Sequence, residues 1–298
     1  MRAPRVTLEQ WRALQAVVDQ GGFAQAAGFL NRSQSSVSYA VGKLQGQLGV
    51  PLLRIQGRKA ELTEDGEAIL RRARYLLRDA YSIEEFAASL EKGWEPEIRL
   101  VVDAAFPARL LMEALRGFKP LSRGSRVQLT QVVMSGADDA LDEGWADLVI
   151  GGRIPPHYLG NVLLEIEFIA VAHPDHALHQ LQRDLTIADL ESELHVVISD
   201  SGIRRKRDSG WLPGEHRWTV ANIDNAIEAI RAGLGFSWLP RHRIEQLIEQ
   251  GQLLPLPLRE GRTYREHLYM IYGRQEAPGP AARALADQFC KVVSDVQQ

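Results

Sequence analysis

The spacing of apolar residues changes near residue 97, and this change limits the fold more than any other feature of the sequence. From Leu8 to Leu90 apolar residues recur at intervals of three and four, which is the period of amphipathic helices. From Ile98 onward, short apolar runs alternate with helical periods, which is typical of a mainly parallel sheet covered by helices. Residues 92–96 (Lys-Gly-Trp-Glu-Pro) separate the two patterns. The sequence therefore predicts a helical N-terminal module followed by a larger α/β domain.

Three short helices are predicted in the first fifty residues. The first begins at Leu8, and the second begins at Phe23 after a pair of glycines. Ser33 is a favourable N-cap for the third helix, which is predicted to end at Gly49. Two helices joined by a short turn form the helix-turn-helix arrangement. Residues 51–66 then predict a two-stranded wing with a basic tip.

Positive charge is concentrated in this module. The whole chain has a net charge of -3, yet residues 1–60 contain eight Lys and Arg against only Glu9 and Asp19. A basic module on an acidic body favours nucleic-acid binding. The alternative is a cytosolic small-molecule-binding protein whose N-terminal helices serve assembly only, but such a module has no reason to keep so many positive charges.

The outward side of the third helix supplies candidate DNA contacts. A glutamine side chain pairs well with adenine in the major groove, and a serine hydroxyl bonds to a base or a phosphate. Lys43 is placed to neutralise a phosphate, and the basic tip of the wing, which contains Arg58 and Lys59, is placed to reach the minor groove or the backbone.

From Leu8 to Gly66 the sequence resembles the DNA-binding domain of LysR-type transcriptional regulators (LTTRs). The resemblance implies that Arg58 enters the minor groove. It also implies that four residues of the third helix touch bases: Gln34, Ser35, Ser38 and Tyr39. The matching positions include Gly22-Phe23, Ala26-Ala27, Leu30, residues 33–38 (Ser-Gln-Ser-Ser-Val-Ser), Leu44, Leu48-Gly49-Val50, Leu52, Leu62-Thr63 and Gly66.

The chain departs from the family pattern at two places. After Leu52 the family commonly has Phe, an acidic residue and Arg, whereas here Arg54 stands one position earlier and is expected to substitute for that arginine. Tyr39 replaces a residue that is often Arg, Gln or His, which is expected to alter the preferred base step. The predicted DNA-binding residues are Ser33, Gln34, Ser35, Ser38, Tyr39, Lys43, Arg54, Arg58 and Lys59.

A long helix capped by Thr63 follows the wing, and its first turn is acidic. Its apolar residues alternate four and three apart over three heptads, which predicts a coiled-coil seam between two chains. A helix packed on its own body is the alternative. A dimer, alone or within a tetramer, would present two recognition helices to a palindromic site. The predicted seam is Ile69, Ala73, Leu76, Ala80, Ile83, Ala87 and Leu90.

The rest of the chain resembles the LTTR effector domain, which has the two-lobed fold of type 2 periplasmic binding proteins. The likeness rests on residues 147–151, 173–176 and 232–235. It implies a small-molecule effector in the cleft between the lobes, and a response transmitted to DNA and RNA polymerase. The predicted division is a winged helix-turn-helix domain at 1–62, a linker helix at 63–92 and an effector domain at 93–298, with lobe I at 97–163 and 268–298 and lobe II at 164–267.

The implied cleft differs from that of many relatives, which hold an anionic effector with hydroxyl groups where this chain has Asp103, Val133 and Met134. A carboxylate repels an anion and favours a cation or a hydrogen-bond donor. We therefore expect an effector with an apolar or aromatic body that is not a simple dicarboxylate, unless Asp103 only caps the next helix. The predicted effector-binding residues are Asp103, Ala104, Phe106, Val133, Met134, Ser135, Asp200, Ser201, Gly202, Asn222 and Asp224.

Other chemistry is not expected. No apolar run has the length of a membrane span and no signal-peptide core is present, so a cytoplasmic location is predicted. Cys290 is predicted to be a buried small hydrophobe, and the histidines of residues 173–179 to lie in a loop without a metal. The basic run at 204–207 is predicted to be a solvated loop. No catalytic or cofactor motif is found, so the protein is predicted not to be an enzyme.

Overall fold

The computed structural model describes residues 3–56, 59–204, 206–207, 216–273 and 278–297. It divides into two compact units, Met1–Ser89 and Leu90–Gln298. The first unit is mainly helical, whereas the second contains a large sheet. None of the described helices has the apolar length that a bilayer crossing requires.

The first unit contains the predicted helices and wing. Its elements are α1 (Leu8–Asp19), α2 (Phe23–Phe29), α3 (Gln34–Leu48), β1 (Leu53–Gln56), β2 (Lys59–Leu62) and α4 (Glu64–Glu91). The Ser33 hydroxyl accepts the N–H of Ser36 at 3.2 Å, so it caps α3. Gly49 ends α3 in the left-handed conformation, with φ 72°. Both ends of α3 therefore lie where the sequence predicts them.

An apolar core and one polar pair hold α1, α2 and α3 together. Gln10 is buried on α1 and donates to the side-chain oxygen of Gln47 on α3 at 2.8 Å. Gln47 in turn donates to the carbonyl of Arg5 at 2.9 Å. A buried amide with a partner fixes the approach of two helices, because breaking the pair would leave a polar group unsatisfied. The fully or nearly fully buried apolar residues include Leu14, Val17, Ala26, Ala27, Val37, Val41, Leu44 and Leu52.

The base of the wing is tied to α3 and α4. The side-chain oxygen of Gln45 accepts the N–H groups of Leu52 at 2.7 Å and Leu53 at 3.0 Å. The Thr63 hydroxyl accepts the N–H of Gly66 at 2.9 Å, so it caps α4 as predicted. Gly66 itself lies so close to the wing that an added Cβ would overlap the carbonyl oxygen of Leu52. The start of α4 and the wing therefore form one packed unit with the recognition helix.

The two ends of α4 have different surroundings. Ala73 is buried in the core of the first unit, and Ile69 packs against the same core. The predicted seam is therefore wrong at Ala73, and the alternative of a helix packed on its own body holds for this part of α4. Further along, Leu76, Ile83 and Leu90 are 48%, 70% and 40% exposed. These three residues continue the seven-residue repeat on a face that this chain leaves uncovered.

The second unit contains a nine-stranded sheet and seven α-helices in its described residues. The strands are β3 (Glu97–Asp103), β4 (Arg126–Val132), β5 (Leu148–Gly151), β6 (Gly160–Ala172), β7 (His195–Ile198), β8 (Arg217–Val220), β9 (Phe236–Pro240), β10 (Leu254–Pro255) and β11 (Thr263–Tyr272). The helices are α5 (Ala108–Phe118), α6 (Gly136–Asp142), α7 (Ala177–Gln180), α8 (Ile187–Glu191), α9 (Ile223–Arg231), α10 (Arg241–Glu249) and α11 (Pro280–Gln297).

The strand order is β4-β3-β5-β11-β6-β9-β7-β8, with β10 beside β6. Strands β3, β4 and β5 are parallel, as are β7, β8 and β9; we call these sets the first and second halves. The long strands β6 and β11 join the halves and pair antiparallel with each other and with their outer neighbours. The sheet is therefore mixed, not mainly parallel.

Alternate residues of the strands enter different cores. Val102 and Phe168 belong to a core that includes residues of both halves, whereas Val101 and Ile169 belong to separate clusters, one in each half. Since successive side chains of a strand point to opposite faces, one face of the sheet has a shared core and the other has two. The two halves are thus covered independently on one side of the sheet.

The C-terminal helix packs on the first half. The Glu95 carboxylate accepts the N–H groups of Ala281 at 2.8 Å and Ala282 at 3.2 Å in the first turn of α11. Phe289 of α11 meets Phe106 edge-on at 5.8 Å. On the outer side of this helix Cys290 is exposed, so the prediction that it is buried is wrong.

Replacement of Gly66 by alanine is expected to destabilise the first unit, because the added methyl overlaps the Leu52 carbonyl. The cost is about 1–3 kcal/mol, as for other overpacked sites. Gly46→Ala is the matched control, since nothing lies within 4 Å of a Cβ there; it should stabilise α3 by about 0.5–1 kcal/mol. Urea unfolding of both variants measures the difference, and equal effects would contradict the packing described for Gly66.

Candidate functional site

The outward face of α3 is polar and uncovered. Ser33, Gln34, Ser35, Ser38, Tyr39 and Lys43 are all exposed, and the Tyr39 ring is 71% exposed. The ammonium group of Lys43 lies 6.0 Å from the centre of that ring. An exposed aromatic beside a cation and several hydroxyls is a surface suited to contact with another polar, anionic molecule.

The wing contains three of the predicted DNA-binding residues, and the structure describes two of them. Arg54 on β1 is exposed and pairs with Glu61 on β2 at 3.5 Å. Exposed pairs of this kind contribute little stability, so Arg54 is available to a stronger anionic partner. Lys59 begins β2. Arg58 lies outside the described residues.

A cavity of about 570 Å³ lies within the second unit. Of the predicted effector-binding residues, Asp103, Ala104, Val133 and Met134 line it. Strands β6, β7, β9 and β11 supply the opposite walls. The lining residues that sequence reasoning missed include Phe168, His195, Trp238, Tyr264, Glu266 and Tyr269.

Asp103 is buried at the end of β3 and joins two loops. One of its carboxylate oxygens accepts the N–H of Ala105 at 2.8 Å, and the other accepts the N–H of Met134 at 3.0 Å. Helix α5 begins later, after Pro107, so Asp103 does not cap it. Burial raises the pKa of Asp103 to about 6, although the two N–H bonds oppose this shift.

A second carboxylate, Glu266 on β11, lines the same cavity. Desolvation raises its pKa, and its charge also raises the pKa of Asp103. Arg207 lines the cavity too, but its guanidinium donates to the buried carboxylate of Asp138 at 2.6 Å. The prediction of a solvated loop at 204–207 is therefore wrong for Arg207. The exposed charge in the cavity is mainly negative.

Aromatic rings form much of the remaining wall. Phe168 and Tyr264 stack with ring centres 4.7 Å apart and planes 2° from parallel. Trp238 donates from its indole N–H to the carbonyl of Gly261 at 2.9 Å and meets His195 edge-on at 5.4 Å. Rings held by stacking and hydrogen bonds keep a fixed orientation, so these walls are rigid.

Ser135 and Asp200 do not line the cavity; they tie the two halves together. Asp200, after β7, accepts the N–H of Ser135 at 3.0 Å and its hydroxyl at 2.6 Å. The N–H groups of Gly202 and Arg207 also donate to this carboxylate, at 2.9 Å and 2.6 Å. Although desolvation acts to raise the pKa of Asp200, these hydrogen bonds lower it overall.

Ser201 and Gly202 complete this connection. The Ser201 hydroxyl accepts the N–H of Val133 at 2.8 Å. An added Cβ on Gly202 would overlap the Ser135 hydroxyl, so only glycine allows the two loops to approach this closely. We call the group of Val133, Ser135, Asp200, Ser201 and Gly202 the Asp200 clamp.

Three predicted effector contacts do not line the cavity. The prediction is wrong for Phe106, which is only 1% exposed and belongs to the shared core. The Asn222 side chain caps α9 by accepting the N–H of Asn225 at 2.8 Å. The Asp224 side chain is exposed and pairs with Arg243 on α10. A count along the sequence cannot detect which residues near a strand end line the cavity.

The missed residues had a weak signal in the sequence. On β11, Tyr264, Glu266 and Leu268 alternate, which predicts one shared face of a strand. Their membership of the site depends on β11 pairing with β6 over nine positions, which brings them beside Phe168. That pairing joins residues far apart in the chain, so it could not be predicted from spacing.

Comparison with known families adds two matches. Residues 8–67 match the bacterial regulatory helix-turn-helix protein, lysR family, and residues 91–293 match the LysR substrate binding domain. The first match covers α1 to the start of α4, which sets aside the alternative of helices used only for assembly.

Individual relatives agree with these matches. The uncharacterized HTH-type transcriptional regulator YeeY of Escherichia coli is 28% identical over 246 residues, covering 81% of this chain and 80% of that protein. The RuBisCO operon transcriptional regulator of Allochromatium vinosum is 28% identical over 296 residues, covering 95% of each. The solved structure of the full-length LTTR LysG from Corynebacterium glutamicum shares the fold, with a TM-score of 0.53 and 19% identity over 98% of this chain and 99% of that one.

The helix-turn-helix with its wing, the two-lobed α/β unit and these matches lead to one conclusion. The chain belongs to the LysR family, and it is a DNA-binding transcriptional regulator with an effector-binding domain, not an enzyme.

Proposed function

We propose that this regulator binds promoter DNA as a dimer or as a tetramer built from two dimers, with α3 in the major groove, and responds to an effector in the cavity of about 570 Å³. The observation that carries the proposal is the exposed polar face of α3 above a buried apolar stripe. The cytoplasm, where promoter DNA lies, is the proposed location. No cofactor other than the effector is proposed.

The first turn of α3 is suited to base contact. Gln34 and Ser38 are exposed, and so is Tyr39. Lys43 and Arg54 are placed to neutralise phosphates on either side. The two acidic residues of this region, Glu9 and Asp19, are paired with Arg32 and Arg74, which limits their repulsion of DNA.

Dimerisation is proposed through the exposed stripe of α4. Leu76, Ile83 and Leu90 lie on one side of the helix, and Ala80 and Ala87 lie between them. Apolar residues at these intervals pack against the same stripe of a second helix, since water is excluded from both. Two recognition helices would then meet two half-sites of one operator.

Effector action is proposed to depend on the Asp200 clamp. Met134 and Arg207 line the cavity. Met134 lies between two clamp residues in the chain, and the N–H of Arg207 donates to Asp200. A ligand between the halves would therefore alter the geometry of the clamp. In this proposal the change in the second unit alters how the dimers sit on DNA and how they contact RNA polymerase.

Gln34→Ala is expected to weaken specific binding about tenfold, because one good base contact contributes about 1–3 kcal/mol of discrimination. Gln15→Ala on α1 is the control and should leave binding unchanged. Lys43→Ala should weaken binding to all DNA sequences alike. It should also reduce the slope of log affinity against log salt concentration by about one, because one phosphate contact is lost. Gel-shift titrations on the promoter beside its own gene measure both effects; unchanged binding in the Gln34 variant would contradict the proposed role of α3.

Ile83→Glu is expected to abolish dimerisation at micromolar concentration, because it places a charge in the middle of the proposed apolar seam. The monomer should still fold, since Ile83 is 70% exposed in the single chain and exposed sites tolerate substitution within about 0.5 kcal/mol. Ser82→Glu, one residue away and also exposed, is the control. Sedimentation analysis distinguishes the two, and a dimeric Ile83 variant would exclude this seam.

Asp200→Asn is expected to weaken the clamp and to flatten the acid branch of the stability profile. The pKa of Asp200 is lowered in the fold, so its charge contributes stability above the unfolded pKa of about 3.9 that is lost as pH falls through the folded value. Unfolding of the wild type and of an exposed control, Asp142→Asn, should therefore show a steeper loss below pH about 4 than the Asp200 variant. If the stability profiles of all three proteins run parallel with pH, the Asp200 charge does not stabilise the clamp.

A further inference from the structure

Five backbone N–H groups in the loops after β3 and β4 are already bonded within the chain. The N–H of Val133 donates to Ser201, that of Met134 donates to Asp103, and that of Ser135 donates to Asp200. The N–H groups of Ala104 and Ala105 are likewise taken, by the Val132 carbonyl and by Asp103. Free N–H groups at strand ends and helix starts are the usual means of holding a carboxylate or phosphate. In these two loops the chain's own oxygens already use them.

The fixed charges in the cavity also disfavour an anion. Asp103 and Glu266 both face the space, and each has a carboxylate that burial disfavours in the charged form. The guanidinium of Arg207 is bonded to Asp138, although its charge also acts to lower the pKa of Glu266, and His267 lies 3.6 Å from Glu165. A cation placed between the two carboxylates would relieve their repulsion and offset their desolvation.

The walls around these carboxylates are flat and apolar. The stacked pair of Phe168 and Tyr264 lies beside Trp238 and Tyr269. Aromatic faces attract a planar ring by stacking and an ammonium group through the ring quadrupole. A cavity of about 570 Å³ is within the range that holds a small organic ligand.

From these contacts we infer that the cavity binds a protonated amine carried on a flat aromatic body, with its ammonium group between Asp103 and Glu266 and its ring against the Phe168, Tyr264 and Trp238 walls. The inference rests on the proposed function, since it names the chemical class of effector for the same cavity. It excludes the carboxylate ligands that hydroxyls and free N–H groups would select.

Four probes of matched size test the inference on the full-length protein: phenethylamine, 2-phenylethanol, 3-phenylpropionate and hexylamine. They represent the cation with a ring, the ring alone, the anion with a ring and the cation alone. Calorimetry or ligand-observed NMR should give phenethylamine a Kd at least about tenfold lower than that of 3-phenylpropionate, and lower than those of the other two. A tighter 3-phenylpropionate, or no binding of phenethylamine at about 10 mM, would overturn the inference.

Substitution then locates the ammonium group. Glu266→Gln should weaken the binding of phenethylamine about tenfold and leave the binding of 2-phenylethanol unchanged. The reason is that the variant removes a negative charge, which only the ammonium group of phenethylamine would contact. Glu249→Gln, an exposed residue at the end of α10, makes the same change of charge outside the cavity and should have no effect. Asp103→Asn is the second variant, with its melting temperature measured in parallel because Asp103 also holds two backbone N–H groups. If neither cavity variant weakens phenethylamine, the placement is wrong.

The pH dependence provides an independent readout. Raising the pH through about 6 ionises Asp103, so phenethylamine should bind more tightly at pH 7.5 than at pH 5, by up to about tenfold. Of the other ionisable groups that line the cavity, Glu266 also has a pKa that desolvation raises, so it favours the same direction of the pH effect. The remaining ionisable groups of the lining are His195, His267, Arg207, Tyr264 and Tyr269. An affinity for phenethylamine that falls with rising pH would contradict the inference.

Gel shifts separate this inference from the proposed function. If the protein binds its promoter fragment in the gel shift and the cavity binds 3-phenylpropionate instead of phenethylamine, the proposed function stands and only the inferred ligand class is wrong. If no probe binds but DNA is still retarded, the inference fails while the role of α3 stands. Loss of DNA retardation under all salt conditions would instead remove the proposed function, whatever the probes do.

Discussion

Two buried aspartates determine the geometry on which the effector domain depends. Asp103 bonds the loops after β3 and β4 to each other, and Asp200 bonds the loop after β7 to the start of α6. A buried carboxylate requires donors, since an unpaired charge in a low-dielectric interior is strongly unfavourable. The backbone N–H groups of the strand ends provide them. The consequence is that N–H groups of these loops are used within the chain, and the bonds to Asp200 also join the halves.

The long antiparallel pair of β6 and β11 also has two roles, since it both joins the halves and lines the cavity. These strands connect the halves, and their residues contribute both to the cores and to the cavity wall. A strand that crosses the whole domain contributes to both lobes, so a ligand against Tyr264 or Glu266 contacts the element shared by both. In the first unit α4 likewise combines two roles: Ala73 completes the core beneath the recognition helix, whereas Ile83 remains on an uncovered apolar face.

Local interactions made much of the protein predictable. Ser33, Gly49 and Thr63 mark helix ends because a cap depends on neighbours three or four residues away. The site was only partly predictable: Asp103, Val133 and Met134 line the cavity, whereas Phe106 is buried in the core and Asp224 is not part of the cavity wall. Which side of a loop faces the cleft depends on packing partners distant in sequence.

The sequence by itself therefore determined the family, the order of helices and strands, and the polar face of α3, because these depend on local periodicity and on short motifs. Only the tertiary structure decided that the sheet is mixed, that Ala73 belongs to its own module, and that Glu266 and the aromatic residues share a cavity with Asp103. The physical reason is that strand pairing and core packing join residues that lie far apart in the sequence, and no local pattern specifies those partners.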